Sequence, residues 1–315
     1  MPGNMQTPAS RVAETEQTAA VNSMESTALR ATCWGTRGSI PSPGPATARF
    51  GGNTSCLEVR TADERCFIFD AGTGIRILGR RLEAENGPVD ADLFLTHFHW
   101  DHIQGVPFFG PLYRPETKIR IHGARQGDTD IETLFRGQMG PVYFPVPYEA
   151  LSAGLEFIHL DDEPWVDDGV EVSAIRVRHP AHTYGYRISS GAGALAYIPD
   201  NELVGGSYDV GGDAWYRELV EFLDGVDVLF HDAMYTDDEY AAGVEGWGHS
   251  TFNQTVRLAE DAGVRRLYVF HHAPERTDTE LLELAERLRE GLAARNSGLE
   301  LGVAAEGEEL LVQER

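Results

Sequence analysis

The stretch THFHWDHIQG, residues 96–105, places three histidines and an aspartate within six residues. It directly follows the apolar run ADLFL, residues 91–95, which has the character of a buried strand. Side chains with metal-binding lone pairs are therefore concentrated where this strand ends. A hydrated loop would be the ordinary interpretation of one histidine, but four donors at this spacing favour a metal site.

The spacing also indicates how the four side chains converge. His97 and His99 are two residues apart, so in an extended segment both leave the same face of the chain. Asp101 and His102 come where the chain turns into a helix, and they add two more donors. Imidazole and carboxylate suit Zn²⁺, Mn²⁺ or Fe²⁺, and four donors exceed what one tetrahedral site with an open position requires. The sequence therefore predicts two metal ions.

The composition restricts the classes of function. The chain has 315 residues and a formal net charge of −24, from 26 basic and 50 acidic residues. The broad basic surface that usually binds nucleic acid is missing, which disfavours a polynucleotide partner. No apolar run reaches the roughly 18 residues needed to cross a bilayer, so no membrane partner is expected. Three cysteines, an odd count, and a polar first segment predict a cytoplasmic, reduced protein.

The chain is predicted to have a disordered tail and one folded domain. Residues 1–30 offer too little apolar surface to form a core, whereas residues 31–315 carry regular apolar patterns. Helical patterns cover 215–223, 252–262 and 279–293, the last with Asp278 as its N-cap. Strands followed by alternating strands and helices indicate a layered α/β fold. The predicted strands are residues 56–60, 66–69, 93–95, 119–121, 170–177, 194–198, 226–230, 266–270, 299–303 and 309–312.

Residues 97–102 match the metal-binding signature of the metallo-β-lactamase superfamily, and four further segments resemble that superfamily in order. They are residues 67–74 (FIFDAGTG), 178–187 (RHPAHTYGYR), 197–200 (YIPD) and 267–274 (LYVFHHAP). The resemblance covers residues 32 to about 312. It implies a four-layer αββα sandwich and a metal-dependent hydrolase.

The resemblance also implies a ligand set for two divalent ions, with zinc favoured and manganese or iron as alternatives. One ion would be held by His97, His99 and His179, and the other by Asp101, His102 and His271, with Asp200 bridging them. Asp70 would hydrogen-bond the ligand loop.

Two of these assignments have neighbouring competitors. His182 competes with His179, which is favoured because the family's ligand commonly stands before proline. His272 competes with His271, which has the family's position relative to the proline three residues on. His122 and His159, at predicted strand ends, are interpreted as structural.

Residues 230–233 (FHDA) and 247–251 (WGHST) resemble the phosphodiesterase branch of the superfamily, which includes ribonuclease Z. The resemblance implies an acid–histidine pair, Asp232 and His249, in which the histidine donates a proton to the leaving oxygen. Many relatives have glutamate where this chain has the shorter Asp232. Together with Asp101, these two are the predicted catalytic residues. Arg37, in an opening segment that also resembles this branch, is a weaker candidate to face the site.

The same resemblance bears on the substrate. Bacterial ribonuclease Z carries a long arm for tRNA before the bridging aspartate, but here residues 186–198 offer only a hairpin. A small anionic substrate is therefore expected, namely a small or cyclic phosphodiester or nucleotide. The alternative is a carbonyl substrate such as a lactone or thioester. The aromatic loop 137–148 could line the pocket or serve in packing, and a homodimer is the default assembly.

Overall fold

The computed structural model describes residues 29–85, 87–160 and 164–313, and these form two seven-stranded sheets with helices outside them. The strands are β1 (Leu29–Gly35), β2 (Cys56–Arg60), β3 (Cys66–Phe69), β4 (Asp90–Phe94), β5 (Lys118–Gly123), β6 (Gly154–His159), β7 (Trp165–Asp167), β8 (Val170–Val177), β9 (Thr183–Ser190), β10 (Gly193–Ile198), β11 (Val228–Asp232), β12 (Arg266–Phe270), β13 (Glu300–Val303) and β14 (Glu309–Val312).

The two sheets have the same mixed design. The first has the order β14-β1-β2-β3-β4-β5-β6, antiparallel as far as β3 and parallel from β3 to β6. The second has the order β13-β12-β11-β10-β9-β8-β7, parallel from β13 to β10 and antiparallel beyond. Because the carboxyl ends of parallel strands share one edge, the residues that follow them can meet there.

Aromatic side chains fill the space between the sheets. Phe69 of the first sheet packs against Tyr186 and Tyr197 of the second, with ring centroids 5.7 and 5.9 Å apart. Along β3, Phe67 and Phe69 point into this core. The alternate residues of β3 pack on the other face, so the strand is buried on both sides, as parallel strands usually are.

Helices cover the outer face of each sheet. On the first sheet, Ile75 and Leu78 of the first helix pack on the strands, and on the second sheet Trp215 and Phe252 do so. The helices are α1 (Ile75–Ala84), α2 (Trp100–Ile103), α3 (Ile131–Gly137), α4 (Gly212–Phe222), α5 (Asp237–Ala241), α6 (Phe252–Asp261) and α7 (Asp278–Ala294), with 3₁₀ turns at Val106–Phe108, Gly110–Tyr113 and Tyr148–Ala150. The predicted four-layer αββα sandwich is confirmed.

The ends of several elements differ from the prediction. Strand β1 begins at Leu29, so Leu29 and Arg30 belong to a strand and not to the predicted tail; residues 1–28 lie outside the described residues. The hairpin predicted at 186–198 begins earlier, at Thr183, and is closed by residues 191–192 between β9 and β10. None of the described helices is long and apolar enough to cross a membrane.

The N-cap of α7 is Thr277, and the predicted cap Asp278 is wrong. Thr277 Oγ1 accepts a hydrogen bond from the Glu280 backbone N–H at 3.3 Å, and the Glu280 carboxylate accepts one from the Thr277 N–H at 2.8 Å. Asp278 instead accepts hydrogen bonds from the N–H groups of Arg49 and Phe50, at 2.8 and 3.3 Å. Its carboxylate therefore binds a loop that is distant in sequence, and no pattern near Asp278 indicates this contact.

Removing this cap should weaken the fold measurably. Thr277→Ala is expected to lower the free energy of unfolding by about 1 kcal/mol, because the helix N-terminus loses a hydrogen-bond acceptor. Thr277→Ser retains the hydroxyl and should lose much less. Urea unfolding of the three proteins is the measurement, and equal stability of Thr277→Ala and wild type would contradict the assignment.

Candidate metal centre

The predicted site residues come together at the edge of the sandwich where the parallel strands end. The residues before and within α2 follow β4, and the others follow or end strands of both sheets. They are Asp70 after β3, His97, His99, Asp101 and His102 after β4, His179 after β8, Asp200 after β10, Asp232 at the end of β11 and His271 after β12.

Three imidazoles form a first group. Ligand atoms of His97, His99 and His179 all lie within 4.8 Å of one another. His179 Nε2 is 3.0 Å from His99 Nδ1, and His179 Nδ1 donates to the carbonyl of Gly248 at 3.0 Å. This backbone bond orients His179 so that its Nε2 faces the other two rings.

A second group consists of Asp101, His102 and His271, with ligand atoms again within 4.8 Å. Asp200 lies beside both groups: its carboxylate oxygens are 3.0 Å from His102 Nε2, 3.4 Å from His271 Nε2 and 3.8 Å from His179 Nε2. This is the position expected of a carboxylate that bridges two ions.

The hydrogen bonding of the groups fits metal ions. His97 Nε2 and His271 Nε2 are buried nitrogens without a hydrogen-bond partner, and His102 Nε2 and Asp200 Oδ2 lie 3.0 Å apart without forming a hydrogen bond of normal geometry. A buried polar atom without a partner costs free energy, so these atoms on two adjoining groups need an explanation. A divalent cation would explain them, because it accepts lone pairs from imidazole and carboxylate.

The electrostatics lead to the same conclusion. Burial lowers the pKa of His179 to about 3 and that of His271 to about 4, which favours the neutral imidazole that binds metals. His102 differs: burial opposes its charge, but the carboxylates of Asp101, Asp200 and Asp70 raise its pKa well above the ordinary range. Three carboxylates around one imidazole create a need for positive charge, which divalent ions meet.

Asp70 holds the ligand loop, as expected. Its side chain is fully buried, and Oδ1 accepts hydrogen bonds from Thr96 N and Oγ1 at 2.8 and 2.9 Å. Oδ2 lies 2.7 Å from His102 Nδ1 and accepts a hydrogen bond from the Tyr197 hydroxyl at 3.1 Å. Because Nδ1 is engaged, His102 presents Nε2 to Asp101 and Asp200.

Two glycines permit the close approach of ligand rings. A Cβ at Gly38 would collide with the imidazole of His271. A Cβ at Gly248, whose φ is +91°, would collide with the imidazole of His179. Both positions therefore require glycine for space, and Gly248 requires it for its backbone conformation as well.

The competing histidines lie outside the two groups. His182 packs against Tyr184, and its ring is in none of the ligand groups of the described residues. His272 Nε2 lies 2.9 Å from the carbonyl of Ala304, and His272 is likewise in none of these ligand groups. The geometry therefore favours His179 and His271.

The other residues weighed in the sequence also have defined places. His122 Nε2 pairs with Asp92 at 2.8 Å in the core, and His159 is exposed. Arg37 is fully buried, and its guanidinium donates to the carbonyls of Gly51, Ala273 and Arg276. Arg37 thus braces the chain after His271 and does not extend into the site, so the suggestion that it faces the site is wrong.

Asp232 and His249 form the expected pair. His249 Nδ1 lies 2.8 Å from Asp232 Oδ2, and Asp232 also accepts hydrogen bonds from the N–H groups of Asn201 and Met234. Burial raises the pKa of Asp232 to about 6. Burial opposes a charge on His249 as well, but the negative charge of Asp232 and the hydrogen bond to it raise the pKa of His249 to about 9. At a pH between these two pKa values, Asp232 is ionised and His249 is protonated, so the two side chains form an ion pair.

The two candidate ligand groups open into a cleft of about 410 Å³, here called the metal cleft. His249 lines it together with the exposed Trp247. Its lining residues are Ser39, Phe98, His99, Trp100, Asp101, His179, Asp200, Trp247 and His249.

Glu202 is a residue that the sequence reasoning missed. Its carboxylate is fully buried and accepts hydrogen bonds from the hydroxyls of Tyr208 and Tyr240. It also accepts hydrogen bonds from the N–H groups of Gly246 and Gly248, both at 2.9 Å. Glu202 therefore fixes the backbone that carries His249 and the carbonyl that orients His179. Its partners are scattered along the chain, so only its position two residues after Asp200 could have indicated it.

Comparison with known proteins agrees with this geometry. The family described as the beta-lactamase superfamily domain matches residues 65–272. Ribonuclease Z of Thermoplasma volcanium is 27% identical over 284 residues, which cover 78% of this chain and 87% of that protein. Ribonuclease Z of Haloferax volcanii is 27% identical over 310 residues, 83% of this chain and 90% of that one.

A solved structure shares the fold. A diphosphatase from the PhnP family superposes with a TM-score of 0.64 at 20% identity and covers 91% of this chain and all of its own. The chain belongs to the metallo-β-lactamase superfamily. Within it, the chain is a metal-dependent hydrolase of the branch that contains ribonuclease Z.

The ligand groups predict the metal content. Protein saturated with Zn²⁺ or Mn²⁺ and then freed of excess metal should hold about two ions per chain. His179→Ala should lower this content to about one, because it removes a ligand of the first group. The matched control His182→Ala, three residues away, should retain both ions. Elemental analysis is the measurement; loss of metal from His182→Ala alone would show that the two histidines have been exchanged.

The role of Glu202 predicts a loss of stability. Glu202→Gln replaces an acceptor oxygen with an amide group among four donors, so we expect the free energy of unfolding to fall by about 1–3 kcal/mol. Glu245→Gln is the control, since Glu245 lies in the loop that carries Gly246 and Gly248 but accepts an exposed hydrogen bond, from the Gly206 N–H. Denaturant unfolding compares the two. Similar small losses in both variants would contradict a special role for Glu202.

Proposed function

We propose that this protein hydrolyses a phosphodiester bond in a small or cyclic substrate. The observation that carries the proposal is the Asp232–His249 pair, whose 2.8 Å contact engages His249 Nδ1 and leaves Nε2 as the nitrogen available to a substrate in the metal cleft. Cleavage of a phosphodiester expels an alkoxide, a poor leaving group that benefits from a proton donor. An imidazolium held by a buried carboxylate is suited to that task.

The ligand groups support the same reaction. When bound, divalent ions supply an activated water molecule and offset the charge that develops on the phosphoryl oxygens. The residues that would hold them are His97, His99 and His179 for one ion and Asp101, His102 and His271 for the other, with Asp200 between. These side chains reach the cluster from strand ends and from the short helix α2 that follows β4, so the site is supported by both sheets.

The small size of the proposed substrate is supported by the chain between His179 and Asp200. Apart from the short connections at residues 180–182 and 199, this span contains only β9, β10 and the two residues that join them, so it has no room for a protruding arm. A formal net charge of −24 also disfavours a long polyanion. The relatives reported above are named as ribonucleases, enzymes that cleave phosphodiester bonds in RNA. We propose the same type of bond for this protein, but in a smaller substrate.

A leaving-group series tests the role of His249. His249→Ala should keep its metal but lose about 10²- to 10⁴-fold in kcat on an alkyl or cyclic phosphodiester, the usual contribution of a general acid. The loss should be much smaller for p-nitrophenyl diesters, because p-nitrophenolate leaves without protonation. Asp232→Asn should show a milder form of the same pattern, since Asp232 orients the histidine.

Steady-state kinetics with both classes of substrate, together with metal analysis of each variant, are the measurements. A wild type that cleaves a lactone or thioester far faster than any phosphodiester would overturn the proposal. Unchanged turnover of an alkyl diester by His249→Ala would do the same. Neither result would contradict the prediction that the ligand groups bind metal ions.

A further inference from the structure

A second cavity adjoins the metal cleft. It measures about 620 Å³, which is within the usual range for a small-molecule site. It shares two wall residues with the metal cleft, Phe98 and Trp100, which stand on either side of His99. We call it the aromatic cavity, and its lining residues are Phe98, Trp100, Ile103, Gln104, Pro107, Phe108, Thr129, Thr133, Leu134, Gly137, Gln138, Tyr143 and Phe144.

The lining of the aromatic cavity is neutral. None of the residues that line it is charged, although 24% of the chain consists of Asp, Glu, Lys and Arg. The cavity therefore offers no counter-charge to a phosphate or carboxylate and no ligand set for a second metal site. Its chemistry suits an uncharged apolar or aromatic group.

Large apolar side chains at its rim are exposed to water. Trp100 is 79% exposed, Tyr143 is 80% exposed and Phe108 is 56% exposed. Phe108 is held in place by Phe144, since their rings meet edge to face with centroids 5.4 Å apart. Grouped apolar exposure of this kind is typical of a surface that binds something.

Continuity with the metal cleft indicates the occupant. A diester whose phosphoryl group lies at the ligand groups carries two substituents, and the aromatic cavity begins at the residues that flank His99. One substituent can therefore enter the aromatic cavity while the other leaves toward His249, which lines the metal cleft but not the aromatic cavity. A separate macromolecular partner would not account for the walls shared with the metal cleft.

We propose that the aromatic cavity binds a neutral aromatic or bulky apolar substituent on the phosphodiester and so determines specificity. This inference rests on the proposed function and adds the class of substrate: diesters that carry one large ring, in preference to those with small alkyl groups. The loop from Gly137 to Phe144 supplies part of the wall, so it contributes to recognition as well as to packing.

The test compares two diesters with the same leaving group. Wild type should cleave phenyl p-nitrophenyl phosphate with a kcat/KM about 10- to 100-fold above that for methyl p-nitrophenyl phosphate, as expected for burial of one ring. Phe108→Ala and Tyr143→Ala should each lower this ratio about fivefold or more. Val142→Ala is the matched control, because Val142 is 87% exposed on the same loop and does not line the cavity. Its ratio should equal that of wild type.

A binding measurement gives a second readout that does not depend on turnover. Calorimetry with methyl(naphthyl)phosphinate, an anionic diester analogue whose two carbon–phosphorus bonds cannot be hydrolysed, should show binding that weakens in Phe108→Ala and is unchanged in Val142→Ala. Dimethylphosphinate, without the ring, should bind all three proteins equally weakly.

The outcomes separate this inference from the proposed function. Equal kcat/KM for the phenyl and methyl diesters would overturn the aromatic cavity as a substrate site and leave the phosphodiesterase intact. Failure to cleave either diester would overturn the proposed function and the inference with it. If light scattering shows that Phe108→Ala changes the oligomeric state of the protein, the cavity is an interface between copies of the chain and the inference is wrong.

Discussion

The hydrogen bonding of Asp70 is the constraint on which the metal centre depends. This fully buried carboxylate joins the ligand loop of the first sheet to Tyr197 of the second, through its bonds to Thr96, His102 and the tyrosine hydroxyl. A buried carboxylate is costly unless it is fully hydrogen-bonded, so these groups are held in one arrangement. Since His102 Nδ1 is fixed in this way, the ring presents Nε2 to Asp101 and Asp200, and the second ligand group takes its shape from that orientation.

The cost of the site is offset by the two sheets around it. Asp70 and His271 both have positive φ values, +61° and +56°, an uncommon conformation for residues other than glycine. Each directly follows a fully buried strand end, Phe69 or Phe270, whose aromatic side chain anchors it in the core between the sheets. Backbone strain and buried atoms without hydrogen-bond partners are thus concentrated at one edge of the sandwich. Tightly packed strands can support the strain there, and metal ions can bind the atoms.

The sequence predicts the parts of the site that are local and leaves out those that are not. That the candidate ligands lie together could be predicted, because most of them stand at or just after strand ends, and the ends of neighbouring parallel strands must meet. Glu202 could not, because its importance comes from four partners brought close only by folding. The same limit explains the error at Asp278, whose helix-capping chemistry is correct in isolation but which a distant loop engages, and the error at Arg37, whose guanidinium braces carbonyls from another part of the chain.

The acidic charge of the protein restricts how the proposed anionic substrate can be bound. At a formal net charge of −24 the protein repels an anion at long range, but salt screens this repulsion within about 8 Å at physiological ionic strength. Attraction must therefore come from the metal cleft itself, at short range. An apolar contact such as the aromatic cavity adds affinity that does not depend on charge. A polynucleotide would be bound less well, since each added phosphate increases its repulsion from the acidic protein. A small diester with one large ring would carry a single negative charge and place it at the metal cleft.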